Sequence, residues 1–280
     1  MAAWRQSVPL QSKAYPPTRE DGSYVNRPVV AKHRMLMRQA VRVFFDAQIS
    51  SVAQQIGLQL GLSKVEDPDR QAGEAADKVN IDWKPLAEEV EPYLAIVAAA
   101  GGELALEQLD ERMVDEFGAG MRIRAEQWAR RRAAELVGMR REGDFYVPNP
   151  DARWAINTTT RDMLRVEVRK AIEAGDSTDK LARRLRDSYA FSDERARMIA
   201  RTEIANADSS GALIGWAQTG VVSGKSWLVD FEACLTCLGY QAVGVVPLDY
   251  EYAPGILAPT AHPNCECTLL PELLEEVETL

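Results

Sequence analysis

Cysteine and histidine placement constrains this chain more than any other feature. All four cysteines fall within Cys234–Cys267 of a 280-residue sequence, and His262, one of only two histidines, sits among them. The pattern is C-x2-C, then 24 residues, then H-x2-C-x-C, closing in the hexapeptide HPNCEC at 262–267. A C-x2-C pair sets two sulfurs on one ion from a tight turn, and a second pair from a distant loop completes a tetrahedron. Five candidates, Cys234, Cys237, His262, Cys265 and Cys267, compete for four positions. In an extended C-x-C segment Cys265 and Cys267 share a face and both can ligate. Alternatively His262 takes a place and one cysteine is spare. The ligand types and spacing favour zinc, with disulfides or free thiols as the alternatives. A structural zinc fits better than a catalytic one, which keeps an open position beside an acid or base. The H-x-E ahead of P-C-x2-C of zinc deaminases is absent, as is the H-E-x-x-H of metalloproteases.

Composition narrows the rest. An apolar fraction of 46% and a charged fraction of 27% describe an ordinary globular chain. The net charge of −9 argues against coating nucleic acid by bulk electrostatics, so any DNA contact needs a local basic patch. Residues 1–20 lack the apolar stretch of a secretory signal, and the longest apolar run, 94–100, is too short to span a bilayer. The expectation is a protein made and assembled in the cytoplasm with no membrane partner, where thiols bind metal or stay free.

The pattern predicts an α+β chain, its N-terminal half mainly helical and its C-terminal module built of helices, a small sheet and the Cys/His cluster. Residues 1–27 read as an extended polar arm, 28–144 as a helical region, 145–271 as a second domain and 272–280 as an acidic tail. Within the helical region, Met37, Val41, Phe44, Phe45, Val52, Ile56 and Leu60 form one stripe. A polar break follows at 63–77. A second helix starts near Pro85 and is interrupted or ended at Gly101–Gly102, and a third covers about 120–137. "GDFYVPNPDARW" (143–154) reads as a loop at the domain boundary. Three helices with Ser, Thr or Asp near their starts come next, and beyond Gly220 the runs "KSWLVD", "VGVVPL" and "CTLLPE" predict short strands. The tail from Pro271 reads as a short helix.

In "ARMIARTEIANADSSGALIGW", Ala196, Ala200, Glu203, Ala207, Gly211 and Ile214 share one face. A carboxylate there needs a partner, and Glu203 reads as a buried polar anchor before a general acid or base. Arg201 falls off that stripe, beside Arg197 and Asp208, and is expected in a surface pair.

"NPDARWAINTTTRDMLRVEV", "SDERARMIARTEIANA", "KSWLVDFEACLTC" and "HPNCEC" follow in that order. Together they resemble the phage Mu F-like minor head proteins of the head-morphogenesis family, over about 149–271. The resemblance places that family's motif positions on Arg201, Thr202, Glu203, Trp227, Asp230 and the five Cys/His residues. Glu266 departs from the basic residue many relatives carry, which makes the hexapeptide less cationic. The resemblance implies a virion component at the head or portal vertex, working in head assembly and DNA packaging or delivery. Its implied partners are the portal protein, with major capsid or scaffold protein and packaged DNA. It implies binding, not catalysis.

The competing reading is a zinc-stabilised DNA-binding module, resting on the arginines around Arg130, Arg131 and Arg132. Against it, Glu126 stands four residues from both Arg122 and Arg130 and can neutralise them. An enzyme is not expected, since no convergent set of polar groups accompanies the cluster.

Overall fold

The computed structural model describes residues 27–60, 67–152 and 154–274. The arm read at 1–27 therefore lies outside the described residues except for Arg27, and most of the acidic tail lies outside them too. The observed order is α1 (Pro28–Leu60), α2 (Pro68–Asp77), α3 (Lys84–Leu109), α4 (Arg112–Leu136), β1 (Met139–Glu142), β2 (Phe145–Pro148), α5 (Ile156–Glu173), α6 (Thr178–Asp187), a 3-10 turn (Tyr189–Phe191), α7 (Asp193–Thr219), β3 (Val222–Leu228), α8 (Leu235–Ala242) and β4 (Thr268–Leu273). The α+β expectation holds: among the described residues helices dominate, accompanied by two separate two-stranded antiparallel sheets. Among the described residues no helix is long and apolar enough to cross a membrane.

Two compact units emerge, one from Met1–His33, Leu94–Ala129 and Arg201–Leu280, the other from Arg34–Tyr93 and Arg130–Ala200. In the second unit, the α1 stripe buries Met37, Val41, Phe45, Val52 and Ile56 completely. Phe45 meets Phe191 edge-on at 5.7 Å, and Phe44 lies 5.2 Å from Trp83. Burial of such aromatics supplies most of the local driving force. Arg195, 1% exposed, donates to Thr160 Oγ1 (2.8 Å), Thr159 Oγ1 (2.7 Å) and the carbonyls of Ala190 (2.6 Å) and Ile156 (3.2 Å). It ties the start of α5 to the 3-10 turn with its face toward the Phe45 ring. Burial lowers its pKa to about 10.

Three expectations need correction in this unit. The polar break at 63–77 contains α2, capped by Asp67, which accepts the Arg70 N–H at 3.0 Å, and opened by Pro68. Its buried face is Ala72, Ala75 and Ala76, too small to register as an apolar stripe. The helical reading to 144 fails after Leu136, because Met139–Glu142 is a strand. "GDFYVPNP" is not all loop either: Phe145–Pro148 pairs with Met139–Glu142 across the two-residue turn Gly143–Asp144, where Gly143 has φ 62°.

In the first unit, α3 runs straight through Gly101–Gly102 to Leu109, against the expected interruption. The reason lies on α7. A Cβ on Gly211 would stand 1.9 Å from the Ala98 carbonyl oxygen, and one on Gly101 2.4 Å from that of Asp208. The two helices touch backbone to backbone, so the glycines serve a crossing instead of a helix end. Arg27 fastens the same crossing, pairing with Asp208 and donating to the Ala100 carbonyl at 2.9 Å.

The terminal lobe of this unit is the expected small sheet. β3 and β4 pair from Val222↔Leu273 to Leu228↔Thr268, and "VGVVPL" adds only a bridge, Lys225↔Val246. The tail is not helical at its start, since Pro271–Leu273 ends β4.

Candidate metal centre

The lobe presents its ligands from three backbone settings. Cys234 is the N-cap residue of α8 and Cys237 lies in its first turn, so the helix start sets the C-x2-C spacing. His262 and Cys265 bracket a tight turn closed by the Cys265 N–H on the His262 carbonyl at 3.2 Å, with Asn264 at φ 61°. Cys267 leads directly into β4. Cys265 and Cys267 both face inward, 2% and 5% exposed, while Glu266 between them points the other way. This is the alternation an extended C-x-C predicts.

His262 Nε2 lies 3.2 Å from both Cys234 Sγ and Cys237 Sγ, and Cys237 Sγ lies 3.8 Å from Cys265 Sγ. The ligand atoms form two close triads, Cys234–Cys237–His262 and Cys237–Cys265–Cys267, with Cys237 common to both. All four cysteines are unpaired, and 3.8 Å is nearly twice the about 2.05 Å of a disulfide. Two thiolates held at about 2.3 Å from one tetrahedral ion stand about 3.8 Å apart. The donor set and spacing therefore fit a metal ion. Neither triad contains a carboxylate.

The protonation pattern agrees. His262 Nδ1 sits 2.9 Å from the Pro263 carbonyl, which can only accept, so Nδ1–H donates there and Nε2 is left as the acceptor or ligand atom beside the sulfurs. The backbone N–H of Cys237 holds Cys234 below the ordinary thiol range. Burial pushes Cys237 up. A hydrogen bond from Cys265 brings Cys267 down to about 5, and Cys265, as donor, is held up. Binding a metal would expel the remaining thiol protons.

The other motif residues gather around this cluster. The backbone N–H of Asp230 favours the Cys267 thiolate. The buried Trp227 side chain also favours it, though its indole N–H makes no full hydrogen bond. Trp227 packs edge-on against Tyr240 of α8 at 5.0 Å and Tyr252 at 4.9 Å. On α7, Thr202 Oγ1 accepts the Asn264 N–H at 2.9 Å. Arg201 reaches Glu266 by Nε–Oε1 at 2.9 Å and Nη2–Oε2 at 2.5 Å. That corrects the expected surface pairing, because Arg197 goes to Asp193 and Asp208 to Arg27. A helical wheel shows only same-helix neighbours, and Arg201 looks outward to the hexapeptide. Glu203 is buried at 3% exposure on the same helix.

Lys225 escaped the sequence reading. It is fully buried on β3, donates to the Leu248 and Leu257 carbonyls at 2.6 Å each, and lies over the Tyr252 ring. Burial lowers its pKa to about 8. The signal was available, since Lys225 is the only Lys or Arg after Arg201.

The arginines offered as a DNA contact are largely engaged. Arg130 pairs with Glu91, and Arg122 with Glu103, each across to α3 in place of Glu126. Arg132 is buried, 9% exposed, and pairs with Glu135, while Arg131 faces solvent.

Comparison with protein-family models, curated proteins and solved structures found no match to this chain.

Proposed function

We propose that this chain is a phage minor head protein of the Mu F-like kind, a virion component at the portal vertex that acts by binding and whose terminal lobe is fastened by a structural zinc ion. One observation carries the reading. The motifs that resemble that family, spread over 201–267, converge on one cluster: Arg201 and Thr202 grip the hexapeptide, and Trp227 and Asp230 face Cys267. Zinc is favoured because the ligands are thiolates and one imidazole, the 3.8 Å sulfur spacing suits a tetrahedron, and no carboxylate joins either triad. Cys237, common to both triads, belongs to every four-ligand set the geometry supports.

The role is head assembly and DNA packaging or delivery, with portal protein as the main partner and capsid or scaffold protein as further ones. Direct DNA binding is the weaker reading, as Arg122, Arg130 and Arg132 already have acidic partners. The test is twofold. Elemental analysis of purified protein should return zinc at about one ion per chain. The protein should co-sediment with purified portal protein in a salt-resistant manner, and retention on DNA with steep salt dependence would favour the other reading.

A further inference from the structure

Among the described residues, the lobe carries an apolar surface that stays exposed. Between Phe231 and Val245, five large apolar side chains face solvent: Phe231 at 93% exposure, Leu235 at 87%, Leu238 at 42%, Val243 at 47% and Val245 at 56%. Leu235 and Leu238 stand three apart on α8 and are neighbours on one face. The helix has no charged residue, and only Cys237 on it is buried. It is attached through the Cys237 sulfur and through the Tyr240 ring, which packs on Trp227 and Tyr252. Surface helices normally turn their apolar stripe inward, so an outward one marks a contact site.

The charges around it choose the occupant. From residue 226 to the end the sequence has nine Asp and Glu and no Lys or Arg. Glu232 beside Phe231, and Asp249 and Glu251 in the following loop, are exposed. Phosphates of nucleic acid and the headgroups of an anionic bilayer are repelled by such a rim, and a second copy would bring the same acidic rim against it. We infer that Phe231, α8 and the Val243–Val245 segment form a docking face for a partner protein whose surface is apolar at its centre and lined by Lys and Arg. The choice of portal as that partner rests on the head-protein reading. The metal cluster then gains a purpose beyond stability: it holds a docking helix that has almost no core of its own.

The experiment uses the full-length metal-loaded chain, Leu235→Ser and Glu232→Lys, with purified portal protein as the first probe. A second probe, independent of the function, is a helical peptide with leucine on one face and lysine on the other. Metal content and melting temperature should be unchanged in both variants, since both side chains are exposed. Expected is portal binding by the wild type that weakens at least about tenfold in each variant. Equal portal binding by wild type and variants overturns the docking face and leaves the head-protein reading standing. If the wild type does not bind portal, that reading falls and the peptide decides. Saturable binding of the Leu/Lys peptide that Leu235→Ser abolishes upholds the face, and its absence or persistence in the variant overturns it. Capture by phosphatidylglycerol vesicles, lost in Leu235→Ser, would also overturn it.

Discussion

The unit built from Arg34–Tyr93 and Arg130–Ala200 and the terminal lobe at 221–274 reach order with different materials. The first buries Met37, Val41, Phe45, Leu164, Val168, Leu185 and Phe191 in a continuous apolar core. In the lobe the buried apolar positions are Val222, Trp227, Cys237, Ile256, Ala261, Cys265, Cys267 and Leu269, three of them cysteines. At the same time Phe231, Leu235 and Val245 stay outside. So little apolar burial of its own leaves the lobe leaning on α7, through Arg201 and Thr202, and on whatever its thiols and imidazole bind. Each region also buries a cation held by hydroxyl or carbonyl oxygens: Arg195 in the helical unit, Lys225 in the lobe. If the proposed zinc is there, apolar burial holds one region and coordination helps hold the other, and each should fail to its own insult.

The sharpest break is chelation or Cys237→Ser. Structural zinc sites contribute about 10 kcal/mol or more of apparent binding free energy, so the lobe should unfold outright. Calorimetry should lose the transition belonging to 221–274 and retain that of the helical unit. Retention of both after zinc removal would mean that Trp227 and its tyrosines suffice.

Arg195→Met is the reciprocal insult. It takes this donor from the Ala190 carbonyl and the Thr160 hydroxyl, while the Ile156 carbonyl keeps the Thr159 hydroxyl, at a cost of about 2 kcal/mol. The helical unit's midpoint should fall while the zinc content stays put.

Lys225 sharpens the comparison through pH. Its folded pKa is lowered to about 8 from 10.5, so between those values the unfolded chain keeps a proton that the folded lobe has released. Raising the pH through that window therefore favours the folded lobe. Arg195, lowered to about 10 from 12.5, gives no such slope below pH 10. In denaturant titrations of zinc-loaded protein, the difference between wild type and Lys225→Met should grow in favour of wild type from pH 8 upward.

What could be read beforehand follows from how many uses a residue type has. Cysteine and histidine at metal spacings have few, so Cys234, Cys237, His262, Cys265 and Cys267 were legible, as was the shared inward face of Cys265 and Cys267. Alanine and glycine have many. Ala72, Ala75 and Ala76 hid the face of α2, and Gly101–Gly102 looked like a helix end because their reason to exist, the backbone of Asp208 and Gly211, is a hundred residues away. The short charged strand Met139–Glu142 offered no alternation to read. Arg201 was assigned neighbours on its own helix, whereas its partner is Glu266.

That last pair gives the smallest expected effect and tests how α7 holds the hexapeptide. Arg201 is about two-fifths exposed and Glu266 mostly covered, with side-chain exposures of 41% and 14%. Solvent screens such a pair, so Glu266→Gln should cost no more than about 1 kcal/mol in lobe stability. Thr202→Val removes an acceptor from the Asn264 N–H and should cost about as much. The two contacts flank Cys265, so a double-mutant cycle read by zinc affinity should show coupling: either change alone leaves the turn at 262–267 anchored, and both together release it. Simple additivity would mean that the coordination itself, with no help from α7, shapes the hexapeptide.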